Sequence, residues 1–234
     1  MINKESIDLL NYDYAAGEVI LIDKEKGKTS FNVIHRLRKI VNVKKVGHAG
    51  TLDPAATGLL IVCVGKKTKE IYKYQELEKT YTGIVELGKK TPSMDFETEI
   101  ISERSYAGIT NEMIEEARKS FLGEIKQIPP MYSALKHKGR ALYKFARAGV
   151  EVDREPRNVS VYEFEILKIH LPEIEFKIRC SKGTYIRVIA DDLGEKLGCG
   201  GVLMSLRREA IGEYKVEDAL TVEEFGQKNN FVAN

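Results

Sequence analysis

Residues 47–58, GHAGTLDPAATG, run directly into LLIVCV at 59–64. No other stretch limits so strongly what the chain can fold into. Three glycines and Pro54 stop the segment from continuing either a helix or a sheet ladder. The apolar run behind it reads as a short buried strand. The loop carries one carboxylate, Asp53, held directly before a proline. Three uses of such a loop compete: a tight surface turn, a nest of backbone amides for an anion, or a stiff mount that holds a nucleophile or general base at a pocket mouth. The residues alone leave all three open.

Around this loop the pattern alternates between strand and helix. EVILIDK (18–24) reads as a strand, and SFNVIHRLRKIVN (30–42) as a helix with Ser30 a candidate N-cap. Val33, Ile34, Leu37, Ile40 and Val41 fall on one face of that helix. TYTGIVEL (80–87) alternates as a strand does, and TNEMIEEARKSFL (110–122) is an amphipathic helix capped by Thr110, with Ile114, Ala117 and Phe121 inward. Pro129 and Pro130 make 127–136 irregular. A short helix at 140–149 is expected to close on Gly149, and one at 184–198 on Gly198. Between them, 160–170 and 173–180 alternate around Leu171-Pro172, which predicts a hairpin or meander. Helices mixed with antiparallel strand pairs predict an α+β fold, with a mixed, largely antiparallel central sheet flanked by helices.

Several chemistries are excluded early. No run of the 234 residues approaches the ~20 apolar positions of a membrane span, and the N-terminus lacks a basic-then-apolar signal, so a cytoplasmic protein is expected. Cys63, Cys180 and Cys199 and the histidines 35, 48, 137 and 170 show no metal-ligand spacing, so no metal is expected. EKGKTS (25–30) resembles the end of a phosphate-binding loop, but Ile22 stands where that motif needs its first glycine, and Asp23 and Glu25 would repel phosphate. The formal net charge of +2 announces no polyanionic partner, yet HRLRK (35–39), KK (44–45), GKKTK (65–69), KHKGR (136–140) and LRR (206–208) are local basic clusters.

GHAGTLDPAATGLL resembles the catalytic-aspartate motif of pseudouridine synthases of the TruB family, which modify uridine-55 in the T loop of tRNA. The resemblance continues in order through LIDKEKGKTS (21–30), KTYTGIVELGKKTPSMD (79–95), IPPMYSALKHKGRALYKFARAG (128–149), CSKGTYIRVIADDLGEKLGCG (180–200) and LRR (206–208). The chain departs from the family pattern at Glu25 and Ile61, where proline is usual, and at Ala49, where threonine is common.

The resemblance implies that Asp53 is the essential carboxylate, with Arg187 as its charge partner; an arginine within about 4–6 Å lowers an aspartate pKa by roughly 1–3 units. It implies that Tyr81 stacks on the target base, that Tyr185 and Leu206 are pocket walls, and that His48 fills the space left by the everted uridine. Lys24, Lys66, Lys136, Arg207 and Arg208 become candidate phosphate contacts, and Asp95 a polar position near the RNA. The implied reaction exchanges an N–C for a C–C glycosidic bond and requires no cofactor. The implied partner is the tRNA T arm, met by a monomer. Residues 1–234 are expected to form a single catalytic domain, without the C-terminal RNA-binding PUA-like domain common in bacterial relatives. A protein of the same fold that binds or folds tRNA without chemistry is the alternative, although such a protein would have no chemical need of Asp53.

Overall fold

The computed structural model of the chain describes residues 1–7 and 9–231. It divides into two compact units, one from Met1–Thr82 with Leu206–Asn234, the other Gly83–Ser205. The first unit runs through β1 (Glu18–Lys24), α1 (Ser30–Val41), β2 (Val46–His48), β3 (Thr57–Val64) and α2 (Ile71–Gln75), and enters β4 (Lys79–Leu87). The second takes up the rest of β4 and adds β5 (Lys89–Lys90), β6 (Ser102–Glu103), α3 (Asn111–Lys119), β7 (Gly123–Gln127), β8 (Lys136–His137), β9 (Arg140–Ala141) and α4 (Leu142–Ala146). It continues with β10 (Arg157–His170), β11 (Glu173–Cys180) and α5 (Ile186–Lys196). Strand β12 (Gly201–Ile211) starts in the second unit and ends in the first, before β13 (Tyr214–Lys215) and α6 (Val222–Lys228).

The first unit is organised on β3. Its neighbour β1 runs antiparallel from Glu18↔Val64 to Lys24↔Gly58, and β2 pairs antiparallel with its far end. At the near end β12 pairs parallel, Arg207↔Thr57 and Arg208↔Gly58. Seven of the eight β3 residues are buried because both faces are covered. Leu60, Val62 and Val64 meet Val33, Ile34, Leu37 and Val41 of α1, with Leu220 and Phe225. Leu59, Ile61 and Cys63 meet Ala49, Ile211, Val216 and Ala219 on the other side. At about 1.5–3 kcal/mol for each large apolar side chain, these layers fix the register of the strand that leaves the glycine loop.

Helix α1 has the predicted apolar face, but Thr29 rather than Ser30 caps it. Asn32 donates its backbone N–H to Thr29 Oγ1 at 3.0 Å, and the Thr29 N–H donates to Asn32 Oδ1 at 2.8 Å. Ser30 already belongs to the first turn, and its hydroxyl is used elsewhere.

The second unit holds the predicted hairpin, β10 against β11, with β7 on the outer side of β10. Phe164 of β10 stands edge-on to Phe121 at 6.1 Å and to Phe176 at 5.9 Å, joining the end of α3 to the sheet. Helix α5 closes at Gly198, whose φ of 80° is the left-handed conformation a C′ glycine supplies. Helix α4 is shorter than expected: it ends at Ala146, and Gly149 lies in the following turn. Antiparallel pairs dominate within each unit beside the parallel β3–β12 contact, and helices flank the strands, so the fold is α+β as the sequence predicts. Among the described residues no helix is long and apolar enough to cross a membrane.

Gly58 couples the loop to β12. Its φ is 103°, and a Cβ there would lie 2.6 Å from the Arg208 backbone nitrogen. Gly58→Ala is therefore expected to cost about 2–4 kcal/mol in urea unfolding, well beyond the ~1 kcal/mol or less of a tolerated surface change.

Candidate active site

Asp53 is half-buried, and the backbone on both sides of it is pinned. On one side Ser30 Oγ donates to the Leu52 carbonyl at 3.1 Å and accepts the Leu52 N–H at 2.9 Å. On the other, the Pro54 carbonyl accepts the Gly27 N–H at 2.8 Å and Lys24 Nζ at 3.4 Å. The Asp53 carbonyl accepts the Ala56 N–H at 3.1 Å and closes the turn. The backbone that carries the carboxylate cannot move far without breaking hydrogen bonds that are partly or wholly shielded from water.

Two buried cations complete the mount. Lys24, with no exposed surface, also donates to the carbonyls of Glu25 at 3.0 Å and Lys28 at 2.7 Å. Burial is the main cause that lowers its pKa to about 8; the Asp53 charge opposes this and Arg208 adds to it. Arg208 is buried on β12 and donates through Nε to the Leu59 carbonyl at 2.7 Å and through Nη2 to the Gly50 carbonyl at 3.1 Å. The expectation that Lys24 and Arg208 meet phosphate is thus corrected: both ammonium and guanidinium are spent on backbone carbonyls of the loop and its flanks, where isolated positive charge costs least. Arg207 is partly exposed and forks onto Asp23, 3.1 Å to Oδ1 and 2.7 Å to Oδ2, which raises its pKa. Lys66 and Lys136 are exposed.

His48 closes β2, one turn of chain before Asp53. Burial first, and then the Arg208 charge, lower its pKa, so the ring is neutral near pH 7. Tyr81 is buried on β4, and Leu206 is half-buried on β12.

Three predicted residues belong to the second unit. Arg187, on the first turn of α5, is 3% exposed and lies 3.6 Å from Asp95 Oδ2, and its guanidinium sits 5.8 Å from the centre of the Tyr185 ring. Asp95 is buried as well and accepts the Glu97 N–H at 2.9 Å. Tyr185, the residue before α5, is held by a two-way amide contact that the sequence reading missed: Gln127 Oε1 accepts its N–H at 3.0 Å, and Gln127 Nε2 donates to its carbonyl at 3.2 Å. Gln127 is buried at the end of β7, directly before the Ile128-Pro129-Pro130 break. Among the described residues no group of three or more His, Cys, Asp and Glu could hold a metal ion.

Residues 38–186 match the family model described as TruB family pseudouridylate synthase (N terminal domain). The chain belongs to this TruB family. Residues 187–234 match the model for the tRNA pseudouridylate synthase B C-terminal domain. A tRNA pseudouridine synthase B of Chloroherpeton thalassium is 47% identical over 227 residues, covering 95% of this chain and 94% of the relative. One from Opitutus terrae is 48% identical over 205 residues, 88% of this chain and 85% of its own. Among solved structures, a chain from a Cbf5-Nop10-Gar1 complex aligns with a TM-score of 0.71 at 30% identity, over 92% of this chain and 54% of that one. As a TruB-family chain it carries the pseudouridine synthase α+β fold.

Within this TruB-family chain the supports of Asp53 were less legible than Asp53 itself. Ser30 sits where a cap is usual, and Lys24 and Arg208 look like surface charge; only register and burial reveal their carbonyl partners. The Lys24 proton provides a test. Its folded pKa of about 8 lies below the ordinary lysine value of 10.5, so between these values the unfolded chain binds more protons and stability rises with pH. Relative to Lys24→Met, the native chain should gain about 3 kcal/mol between pH 8 and pH 10.5, and nothing below pH 7, in urea melts across that range.

Proposed function

We propose that the chain isomerises uridine to pseudouridine in tRNA, at position 55 of the T loop, with Asp53 as the essential carboxylate. Membership of the TruB family supports the reaction class. The observation that carries the residue assignment is the mount itself: the one carboxylate of the glycine loop is braced on both flanks by Ser30, Gly27 and Lys24. A surface turn has no need of two buried cations.

In the proposed reaction the N1–C1′ bond of uridine breaks, the uracil turns, and a C5–C1′ bond forms. The C5 proton is lost and N1 gains one, so atoms and electrons balance within the substrate, and nothing is oxidised or donated. Asp53 serves in its ionised form, either attacking the nucleoside or taking a proton from the ribose. Arg187 is its proposed charge partner, with Asp95 orienting the guanidinium. Tyr81 stacks on the base, and Tyr185 and Leu206 exclude water from the glycosidic intermediate. The uridine reaches the carboxylate only when flipped from the T loop, at a few kcal/mol of unstacking, and the neutral ring of His48 fills the space it leaves. Arg207, Lys66 and Lys136 are the proposed phosphate contacts. The protein acts as a monomer on the T arm, in the cytoplasm.

The test incubates the pure protein with an unmodified T-arm stem–loop and maps pseudouridine by carbodiimide primer-extension stops. Product should form at the T-loop uridine, and Asp53→Asn should reduce the rate by about 10³-fold or more while the RNA is still bound. Retained activity in Asp53→Asn would remove the assignment; binding without product by the native chain would favour a tRNA-folding role.

A further inference from the structure

From residue 26 to residue 52 the chain carries no aspartate or glutamate, and seven lysines and arginines fall between Lys26 and Lys45. In a protein whose formal net charge is only +2, this is a marked segregation of charge. The fold places one end of the stretch beside the Asp53 loop and carries the other end away from it. The turn holding Lys26 and Lys28 is bonded to the loop through the Gly27 N–H and the Pro54 carbonyl, at 2.8 Å. Lys44 and Lys45 lie past the other end of α1, where the Lys45 carbonyl accepts the Gly65 N–H at 2.8 Å beyond the far end of β3.

Between these ends α1 buries Val33, Ile34, Leu37 and Val41 and turns Phe31, Arg36 and Lys39 outward. Phe31 is 67% exposed in the first turn of the helix. Lys26, Lys28, Lys39, Lys44 and Lys45 are all exposed, and among the described residues none of them makes an ion pair. Other exposed or half-exposed cations are paired: Lys67 and Lys73 with Glu70, Lys90 and Arg104 with Glu195. An outward face with free ammonium groups and one bare ring, continuous with the carboxylate loop, suits a flexible polyanion that also offers flat bases. A membrane surface would call for a broader apolar stripe than one phenylalanine.

We propose that the turn at 25–28 and the outer face of α1 form a rail for RNA, in which Phe31 stacks on an unpaired base near the Asp53 loop and the lysines follow the phosphates of one strand away from it. The helix gives the rail about 18 Å, at 1.5 Å per residue. The proposal rests on the RNA substrate of the proposed function and extends it to a surface outside the catalytic residues.

The experiment measures binding of an unmodified tRNA transcript by fluorescence anisotropy over a salt series, with turnover followed in parallel. One variant carries Lys26→Gln, Lys28→Gln, Lys39→Gln and Lys44→Gln. A control removes the same charge elsewhere, with Lys119→Gln, Lys126→Gln, Lys168→Gln and Lys177→Gln; thermal melts confirm that both fold. The rail variant should bind at least about tenfold more weakly at 100 mM salt, with a salt slope shallower by about 2–4, and retain its kcat at saturating RNA; the control should change neither. Phe31→Ser should weaken binding by about fivefold or more without changing the slope. A native slope in the rail variant, or an equal loss in the control, would overturn the proposal. So would a rail variant that keeps its RNA affinity but loses sedimentation with phosphatidylserine vesicles. Failure of the native chain to make product would count against the catalytic reading alone, because the slopes are measured independently of turnover.

Discussion

The two-sided hydrogen bonding of the backbone around Asp53 is the constraint from which the rest of the first unit follows. A loop with three glycines does not by itself hold its one carboxylate in place. The chain answers with donors from three separate places: the Ser30 hydroxyl on the first turn of α1, the Gly27 amide and Lys24 ammonium at the end of β1, and the Arg208 guanidinium on β12. Each comes from an element whose own position is set by packing against β3. The hydrophobic layers therefore do more than stabilise the unit; they deliver the donors to the loop.

This arrangement explains why buried cations are tolerated there. Lys24 and Arg208 replace lost hydration with carbonyl oxygens, and the nearby Asp53 charge offsets part of the cost of keeping Lys24 protonated. The price is a lysine that gives up its proton near pH 8, well within reach of ordinary buffers. In the second unit the Gln127 amide does for Tyr185 what the Ser30 hydroxyl does for Leu52: one side chain satisfies both the N–H and the carbonyl of a single residue. Two-way clasps of this kind fix a backbone position with little added bulk, and each one places a residue next to a proposed catalytic group.

Much of the architecture was legible in the residues. β1, α1, β3 and the β10–β11 hairpin announce themselves through period and turn chemistry, because each buries one or both faces over a long enough run. β12, β7 and α6 did not. GVLMSLRREAI opens on glycine and carries three charged residues, all of which are engaged in ion pairs, a hydroxyl contact or carbonyl contacts. GEIKQ is a mostly polar strand whose place is set by pairing with β10 rather than by its own side chains. The residues leave Thr29 and Ser30 both open as the cap of α1, because their hydroxyls are chemically equivalent there, and only the geometry of the first turn selects Thr29.

By itself the sequence determined that a stiff glycine–proline loop with one carboxylate precedes a buried strand, that the fold is α+β, and, through ordered motifs, which family the chain resembles. Local pattern carries this information because periodicity and turn preference act over a few residues. Tertiary structure alone decided which cations serve the loop and which face outward. That choice depends on the register of β12 against β3 and on the face α1 turns to the core, and both are set by contacts between residues far apart in the chain.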